Sequence, residues 1–590
     1  MMEISINKLK INKEGFRIIP CEDDKPDKIK EYKLYQHQLN ALEWMKNIES
    51  HNISINHNIK GGIICATMGS GKTLLSLEHC LFNRKKEIFP SLIICSASLL
   101  TTSWKVDGVE KFYKDLNVLY FHNTCVDVDN VSIQDILDSD VVITTYDVCR
   151  NIFRLSESYT DNITGEINVT TKTGLKIPII INRDIKTVKY TNEKVKNMDD
   201  LKRNNIKGKN LLYDIQWSRI ILDESQRACN PSTKTFKSLM GLYCNHLFCM
   251  SGTPIKNNNV DFWSHLRLIG YDGVILQSGW KKNYYYFMNE YHLQDYILII
   301  DLQDTNIILP EKLSNNIFIK LQTKVDILYK IMNDIMKKMC IDFLAKKIHI
   351  SEILGMFTKL RQCCLTPYLI FMGIDKKEKK SKKTPLNEDN TQRTKCSTFM
   401  DDYKFIYEDK KTYINECPKI KHILDIIKKT PKNEKILIFS SFKSFLKLVE
   451  NVLTKNKIKS LSINGSTKIS DRGDIKKLFE QDDEYRCLFL TYKTGSEGLN
   501  LTCASNIILC EPWWNNTSHN QAIARAWRNG QQNNVNVYNL IMDNTIEIKL
   551  LSKCKSKDIM SNNLLRDKVV IKKRIEKLDV HEILKLLSND

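Results

Sequence analysis

The feature that most constrains the fold is a glycine-rich turn between an apolar strand-like run and an apolar helix-like run, GGIICATMGSGKT at residues 61–73. The glycines allow consecutive backbone N–H groups to turn towards phosphate oxygens, and the start of the following helix adds positive potential. Lys72 would then reach the β- and γ-phosphates, and Thr73 would offer its hydroxyl to Mg²⁺. The candidate nucleotide-binding residues of this loop are Thr67, Met68, Gly69, Ser70, Gly71, Lys72 and Thr73.

A pair of carboxylates lies about 150 residues downstream of the loop. The run 217–222 predicts a buried strand, and Asp223 and Glu224 follow at its carboxyl end, where open α/β sheets bind ligands. Asp223 is the candidate ligand of Mg²⁺, and Glu224 is the candidate for orienting and deprotonating an attacking water. An isolated Asp-Glu pair is more often a solvated surface pair, but a preceding phosphate loop favours a nucleotide site.

Length and charge limit the class of protein. A chain of 590 residues is too long for one hydrophobic core, so three or four domain-sized units are expected. Lys and Arg exceed Asp and Glu by 89 to 69, which gives a formal net charge of +20. This excess favours a polyanionic partner such as nucleic acid, although it also serves solubility alone.

The cysteines and the hydropathy pattern argue against a secreted or membrane-inserted protein. The 18 cysteines include no C-x-x-C pair, so we expect reduced, buried thiols and no structural zinc. No apolar run approaches the roughly 18 residues that span a bilayer, and the first residues lack the apolar centre of a signal peptide. An intracellular protein with no membrane partner is expected.

Two series of short apolar runs alternate with helical patterns, which predicts two α/β domains with parallel sheets. A polar insertion at about 151–213 interrupts the first series, and a lysine-rich stretch at about 375–395 is predicted to be disordered. The predicted organisation is an extension over 1–33, a first domain over 34–275, a linker with helical protrusions over 276–417, a second domain over 418–550 and a helical tail over 551–590.

The order of motifs along the chain resembles that of the Swi/Snf-type ATPases of helicase superfamily two. In the first half, KLYQHQ (33–38), ITTYD (143–147) and SGTPIKNN (251–258) look like the opening, DNA-facing and coupling motifs of that family, and 92–104 resembles a further DNA-facing segment. The resemblance implies that Gln36 reads the adenine. It implies coupling roles for Ser251 and Thr253 and nucleic-acid contacts for Thr144 and Thr145.

The second half carries the remaining motifs, namely residues 435–442, YKTGSEGLNL (492–501), EPWWN (511–515) and QAIARAWRNGQ (521–531), while LRQCC (360–364) resembles a helical protrusion. They imply nucleic-acid contacts at Ser440, Ser441, Gly495, Asn500 and Trp513, and a nucleotide contact at Gln521. Arg525 and Arg528 lie three residues apart, so on a helix they would share one face and reach the same γ-phosphate.

The resemblance implies an α/β fold of two RecA-like parallel-sheet lobes with helical protrusions between them, and ATP with Mg²⁺ as ligands. One departure from the family is that Ser225 and Gln226, rather than Ala and His, follow the Asp-Glu pair. We therefore expect Gln226 to make the coupling contact that the family assigns to histidine, because an amide can both donate and accept.

The implied function is a DNA-dependent ATPase that tracks along double-stranded DNA and remodels or displaces bound protein, in transcription, repair or chromatin-type processes. The alternatives are a strand-separating DNA or RNA helicase and a non-catalytic nucleic-acid-binding scaffold. The abundance of Asn, Ile and Lys suggests an A/T-rich genome, as in a protist or a large DNA virus. The expected location is the nucleus, or a cytoplasmic viral factory or virion, with transcription or repair proteins as candidate partners.

Overall fold

The computed structural model describes residues 32–50, 59–82, 84, 90–153, 166–170, 176–180, 208–252, 259–271, 293–301, 305, 307–345, 348–370, 417–495, 499–513 and 516–552. The predicted lysine-rich stretch 375–395, nearly all of the extension 1–33 and tail 551–590, and the candidate coupling residue Thr253 lie outside these ranges. The chain forms two compact units, Met1–Ile308 and Leu309–Asp590.

The first unit contains a seven-stranded sheet in which every pair of neighbouring strands is parallel. Its order is β3-β4-β2-β7-β8-β1-β9. The strands are β1 Gly61–Ala66, β2 Ser91–Cys95, β3 Val118–Tyr120, β4 Val141–Thr145, β7 Gln216–Asp223, β8 Tyr243–Ser251 and β9 Ile297–Ile300. The central strands β1, β2 and β4 are buried along their whole length, as expected for a parallel sheet covered on both faces.

Helices cover this sheet and connect its strands. The helices are Gln36–Glu49, Lys72–Leu81, Ala97–Leu99, Ile133–Leu137, Tyr146–Ile152, Leu211–Asp214, Lys234–Met240 and Asn259–Leu268, with 3-10 turns at Ser225–Ala228 and Leu293–Tyr296 and a π-helix at Leu100–Glu110. The predicted insertion contains a separate antiparallel hairpin, β5 Glu166–Thr170 and β6 Lys176–Ile180. In the described part of the chain, no helix is both long and apolar enough to cross a membrane.

The second unit contains a six-stranded sheet, also with parallel neighbours, in the order β10-β15-β14-β11-β13-β12. The strands are β10 Lys312–Ile319, β11 Lys435–Ser440, β12 Lys459–Ile463, β13 Tyr485–Thr491, β14 Ala504–Leu509 and β15 Val535–Met542. The helices are Thr323–Leu344, Ile350–Leu365, Pro418–Lys429, Lys443–Lys455, Ile469–Gln481, Tyr492–Gly495 and Asn516–Ile523. The fold is therefore α/β with two parallel sheets, as predicted.

Strand β10 is an element that sequence reasoning missed. It lies in the interval 276–417, which the sequence assigned to a linker and helical protrusions, yet it pairs with β15 over its full length. As an edge strand it is exposed along almost its whole length, so its sequence KLSNNIFI lacks the apolar run that marks a buried strand. The two long helices of the predicted protrusion, Thr323–Leu344 and Ile350–Leu365, follow it.

A buried ion pair joins the helix Pro418–Lys429 to the segment that follows strand β15. Lys419 Nζ lies 2.8 Å from both carboxylate oxygens of Glu547 and donates to Cys510 O at 2.8 Å. Neither charged side chain has more than 1% of its surface exposed. Burial raises the pKa of Glu547 above its usual value, although Lys419 and the Met542 N–H oppose that shift. Removing either partner would therefore leave the other charge buried without a counter-charge, which is strongly destabilising.

Replacing Lys419 by Met should lower the unfolding free energy of the second unit by about 3–5 kcal/mol, because the Glu547 carboxylate loses its counter-charge in a buried site. Denaturant unfolding followed by circular dichroism measures the change. Lys447→Met is the matched control, because its ion pair with Glu450 is exposed and should be worth less than about 1 kcal/mol. Equal losses for the two variants would contradict this account of the pair.

Candidate nucleotide-binding site

The glycine-rich loop connects the end of β1 to the helix that begins at Lys72. Gly69 and Gly71 both adopt left-handed backbone conformations, with φ of 87° and 82°. A Cβ atom at Gly71 would also lie 2.4 Å from Gln38 Nε2. The left-handed backbone therefore requires glycine at position 71, and a side chain there would also displace the Gln38 amide.

Two side chains of the helix Gln36–Glu49 hold the loop from one side. His37 Nε2 lies 2.9 Å from Ser70 O, and Gln38 Nε2 donates to Gly71 O at 3.1 Å. Gln38 Oε1 accepts from the Tyr35 N–H at 2.9 Å, so both ends of this buried amide are bonded. The opening motif thus fixes the loop directly.

The structure places Gln36 and Gln38, the two glutamines of the opening motif, on different faces of the helix. Gln36 is exposed and its amide donates to Asn40 Oδ1 at 2.9 Å, whereas Gln38 lies against the loop. The physical reason is helical geometry, since residues two apart point about 200° away from each other. A signal was present in the sequence, because Gln38 shares the helical spacing of the buried Ala41 and Met45.

Lys72 is the first residue of its helix, and its ammonium is held by the loop. Lys72 Nζ donates to Ala66 O at 2.9 Å and to Thr67 O at 3.1 Å. Thr73 is half-buried in the first turn of the same helix. A phosphate group at this turn would meet the Lys72 ammonium and the backbone N–H groups of a helix N-terminus.

Asp223 ends strand β7, and two aromatic side chains bond to it. Trp104 Nε1 donates to Asp223 Oδ2 at 3.0 Å, and the Tyr146 hydroxyl donates to the Asp223 carbonyl oxygen at 2.8 Å. Burial and then the Glu224 charge raise the pKa of Asp223 to about 6, while Lys72 and the Trp104 hydrogen bond act in the opposite direction. The carboxylate is therefore held in place and poorly hydrated.

Glu224 is joined to the next strand by a two-bond bridge. Its backbone is left-handed, with φ of 52° and ψ of 49°, which is costly for a residue with a side chain and is a known feature of functional sites. Gln226 Nε2 donates to Glu224 Oε2 at 2.5 Å, and Ser251 Oγ donates to Gln226 Oε1 at 2.7 Å. Gln226 thus uses both ends of its amide.

These residues fit a magnesium nucleotide. Two glycines with left-handed backbones shape the loop, and a helix N-terminus follows it. Thr73 and Asp223 supply the hydroxyl and carboxylate oxygens that a hard cation prefers. The register of β1 with β8 and of β8 with β7 brings the ends of all three strands to one edge of the sheet. The loop, the candidate metal ligands Thr73 and Asp223, and Glu224 therefore lie at one edge of the sheet within the first unit.

The predicted arginine pair has a different local structure from the one expected. The helix Asn516–Ile523 ends before Arg525, because the Arg525 N–H bonds to the carbonyl three residues back instead of four. Arg525 is buried and its Nε donates to Gln521 O at 3.0 Å, while Arg528 is half-buried. The two arginines do not share one face of a helix, so that argument for their joint action does not hold.

Three predicted nucleic-acid contacts are buried and bonded within the fold. Thr144, Thr145 and Ser440 have no exposed surface. Thr144 Oγ1 donates to Phe121 O at 2.8 Å, and Thr145 Oγ1 accepts from the Val148 N–H at 3.2 Å, where it caps the following helix. Strand ends in a parallel sheet need such partners, and these side chains are not available to a ligand in this conformation.

The remaining candidate nucleic-acid contacts lie in the second unit, and three of them have accessible surface. Ser441, Asn500 and Trp513 are half-exposed. Gly495 ends the short helix after β13, and Thr253 lies outside the described residues.

Sequence reasoning missed the role of Arg361, which it assigned only to a helical protrusion. The buried guanidinium carbon lies 4.2 Å from the ring centroid of Trp513 and 5.1 Å from that of Phe442. Glu511, also buried, accepts from the Ser441 N–H at 2.5 Å and attracts Arg361 electrostatically. Arg361 therefore packs the helix Ile350–Leu365 against two segments, the one after β11 that carries Ser441 and the one after β14 that carries Trp513.

Comparison with known families gives two matches that cover most of the chain. Residues 37–369 match the SNF2-related domain, and residues 418–530 match the helicase conserved C-terminal domain. The first match alone spans more than half of the sequence.

Curated relatives extend along nearly the whole chain. The helicase-named protein 172L of Invertebrate iridescent virus 6 is 33% identical over 94% of this chain and 95% of its own length. A protein named global transactivator from Orgyia pseudotsugata multicapsid polyhedrosis virus is 24% identical over 87% of this chain and 88% of its own length. Protein CHROMATIN REMODELING 24 of Arabidopsis thaliana is 24% identical over 88% of this chain, but the chain spans only 45% of that protein.

The family matches and the near full-length viral relative agree with the candidate nucleotide site at the sheet edge, and the chain belongs to the SNF2-related family of helicase-like ATPases.

Proposed function

We propose that this chain hydrolyses ATP in order to move along double-stranded DNA and to remodel or displace protein bound there. The observation that carries the proposal is the bridge from Glu224 through Gln226 to Ser251, because it joins the group that would activate water to the segment that would report on nucleic acid. In a site of this kind, the hydrogen bonds that position the water-activating carboxylate would also couple ATP hydrolysis to movement along DNA.

The chemistry of the proposed ATP site follows from the residues of the first unit. Lys72 exchanges its two loop carbonyls for β- and γ-phosphate oxygens, so its ammonium is already aligned when the nucleotide enters. Bound through Thr73 and Asp223, Mg²⁺ would neutralise phosphate charge. Glu224 accepts a proton from the attacking water, and the Gln226 amide fixes the carboxylate for that task.

Two further assignments belong to this proposal. Arg525 and Arg528 are retained as groups that stabilise charge on the γ-phosphate in the transition state, a role in which arginines supply about 10³-fold or more in turnover. Gln38 takes the adenine-reading role that the sequence gave to Gln36, because Gln38 is the glutamine beside the loop and its amide carries a second N–H besides the one that bonds to Gly71 O. Gln521 stays a proposed nucleotide contact.

Double-stranded DNA is the proposed polyanion. The net charge of +20 favours nucleic acid, and chromatin remodelling and transactivation appear in the names of two relatives. Ser441, Gly495, Asn500 and Trp513 are the proposed contacts in the second unit. The two viral relatives support a role in the nucleus or in a cytoplasmic viral factory, with transcription or repair proteins as partners.

Strand separation is the second candidate, because the insertion contains the β5–β6 hairpin, and a hairpin can act as a wedge between strands. A triplex-displacement assay beside a forked-duplex assay distinguishes the candidates. A translocase with ATP releases the third strand and leaves the fork paired. Unwinding of the fork without release of the third strand would establish the helicase instead. A chain that does neither and hydrolyses no ATP would be a binding scaffold.

Lys72→Ala should abolish ATP binding and hydrolysis, because the phosphates lose the ammonium supplied by the loop. Glu224→Gln should keep ATP bound but lower turnover by about 10²-fold or more, because the amide cannot accept the proton of the attacking water. Equilibrium binding of a fluorescent ATP analogue and single-turnover hydrolysis separate the two effects. Equal loss of binding in both variants would show that Glu224 has been misassigned.

Gln38→Ala should raise KM for ATP about tenfold and weaken the preference for ATP over GTP, since the proposed adenine contact is lost. Steady-state hydrolysis of both nucleotides measures the preference. Gln36→Ala is the matched control, two residues away on the exposed face of the same helix, and should behave as the unchanged protein does. A lost preference in the Gln36 variant alone would restore the original assignment.

A further inference from the structure

We propose that the π-helix Leu100–Glu110 is a positioning element for the metal site, with Trp104 as the residue that orients the Asp223 carboxylate. The inference rests on the proposed function, because it concerns how the same ATP site is assembled. It adds Trp104 and Gly108, neither of which the site assignment includes.

The first observation is the hydrogen bond from Trp104 to Asp223. Trp104 is only 1% exposed, and its Nε1 donates to Asp223 Oδ2 at 3.0 Å. An indole N–H can only donate, so this bond has one possible direction, and it fixes one oxygen of the carboxylate. Because Asp223 is itself buried, water cannot replace a donor that is taken away.

The second observation is independent and involves the other proposed metal ligand. Gly108, one turn along the same π-helix, is buried, and a Cβ atom there would lie 3.0 Å from Thr73 Cγ2. The backbone of the π-helix therefore runs directly against the Thr73 side chain. One element contacts both residues that would hold the metal.

The geometry of the element suits this task. π-Helices are rare, usually persist for a single turn and are frequent at functional sites, because the wider turn redirects side chains. This one extends over 11 residues. It presents Trp104 and Gly108 inward to the metal ligands, while Lys105 and Val106 between them are exposed.

A third contact fixes the same strand end from another direction. The Tyr146 hydroxyl donates to the Asp223 carbonyl oxygen at 2.8 Å, and Tyr146 is 4% exposed. The backbone of Asp223 is thus held by Tyr146 and its carboxylate by Trp104. Loss of the Trp104 bond should therefore change the orientation of the carboxylate without moving the strand.

Trp104→Phe tests the proposal, because it removes the N–H donor and keeps an aromatic ring. The matched control is Trp217→Phe, which removes an equally buried indole donor, bonded to Leu212 O at 3.1 Å, from the opposite end of the same strand β7. The readout is the Mg²⁺ concentration that gives half-maximal binding of a fluorescent, non-hydrolysable ATP analogue. Urea unfolding of both variants records the structural cost of each substitution.

We expect Trp104→Phe to raise the half-saturating Mg²⁺ concentration about tenfold, which is the size of effect for one hydrogen bond to a charged group. Trp217→Phe should stay within about twofold of the unchanged protein even where its loss of stability is similar. A Trp104 variant that stays within twofold, or a Trp217 variant that shifts as far, overturns the proposal. If the unchanged protein shows no Mg²⁺-dependent binding of the analogue, the proposed ATP site itself fails, and that result is distinct from failure of Trp104.

If Trp104→Phe does not fold, a second variant tests whether the π-helix positions the metal site. Gly108→Ala places a methyl group 3.0 Å from both Thr73 Cγ2 and the Ser103 carbonyl oxygen, and should raise the half-saturating Mg²⁺ concentration about threefold or more. Gly355→Ala is its control, because a Cβ atom at Gly355, also in a helix, meets nothing within 4 Å. Equal Mg²⁺ requirements in these two glycine variants would overturn the proposal.

Discussion

The arrangement of the first unit depends on groups that keep the buried Asp223 carboxylate able to ionise. A buried carboxylate without partners costs several kcal/mol, so a sheet that delivers Asp223 to its edge must also deliver donors. Trp104 bonds to the carboxylate, Tyr146 bonds to the backbone of the same residue, and Lys72 contributes positive charge. These three come from different segments of the chain, which makes the order of strands in the sheet a requirement for the site. The strand order that forms the sheet therefore also brings together the partners of Asp223.

The same principle organises the neighbourhood of the second sheet. Arg361 is buried between two aromatic rings and faces the buried Glu511, as Asp223 is buried beside Trp104 and Tyr146. In both units a buried ionisable group is contacted by side chains from other segments of the chain. A buried ionisable group cannot exchange its protein partner for water, so loss of that partner is costly.

Local motifs predicted the phosphate loop, the Asp-Glu strand and the two parallel sheets, because each depends on a run of neighbouring residues. Properties that depend on residues far apart in the sequence were harder to predict from local motifs. Gln36 and Gln38 differ only in which helix face is buried, and Thr144 looks like a polar strand end until Phe121 supplies its hydrogen-bond partner. The end of the helix before Arg525 is set by a local change of bonding that spacing alone does not show. Trp104 looked like part of a nucleic-acid segment because no local pattern points to Asp223, 119 residues away.

The most direct test of the account is the ATP hydrolysis rate of the full chain with and without duplex DNA, measured over a range of salt concentrations. A DNA-driven ATPase predicts slow hydrolysis alone and a severalfold or larger increase with saturating duplex DNA. The increase should decline as salt rises, because phosphate contacts release counterions. Single-stranded RNA should stimulate weakly. Hydrolysis that duplex DNA leaves unchanged, or that single-stranded RNA stimulates instead, would contradict the claim that this site drives movement on double-stranded DNA.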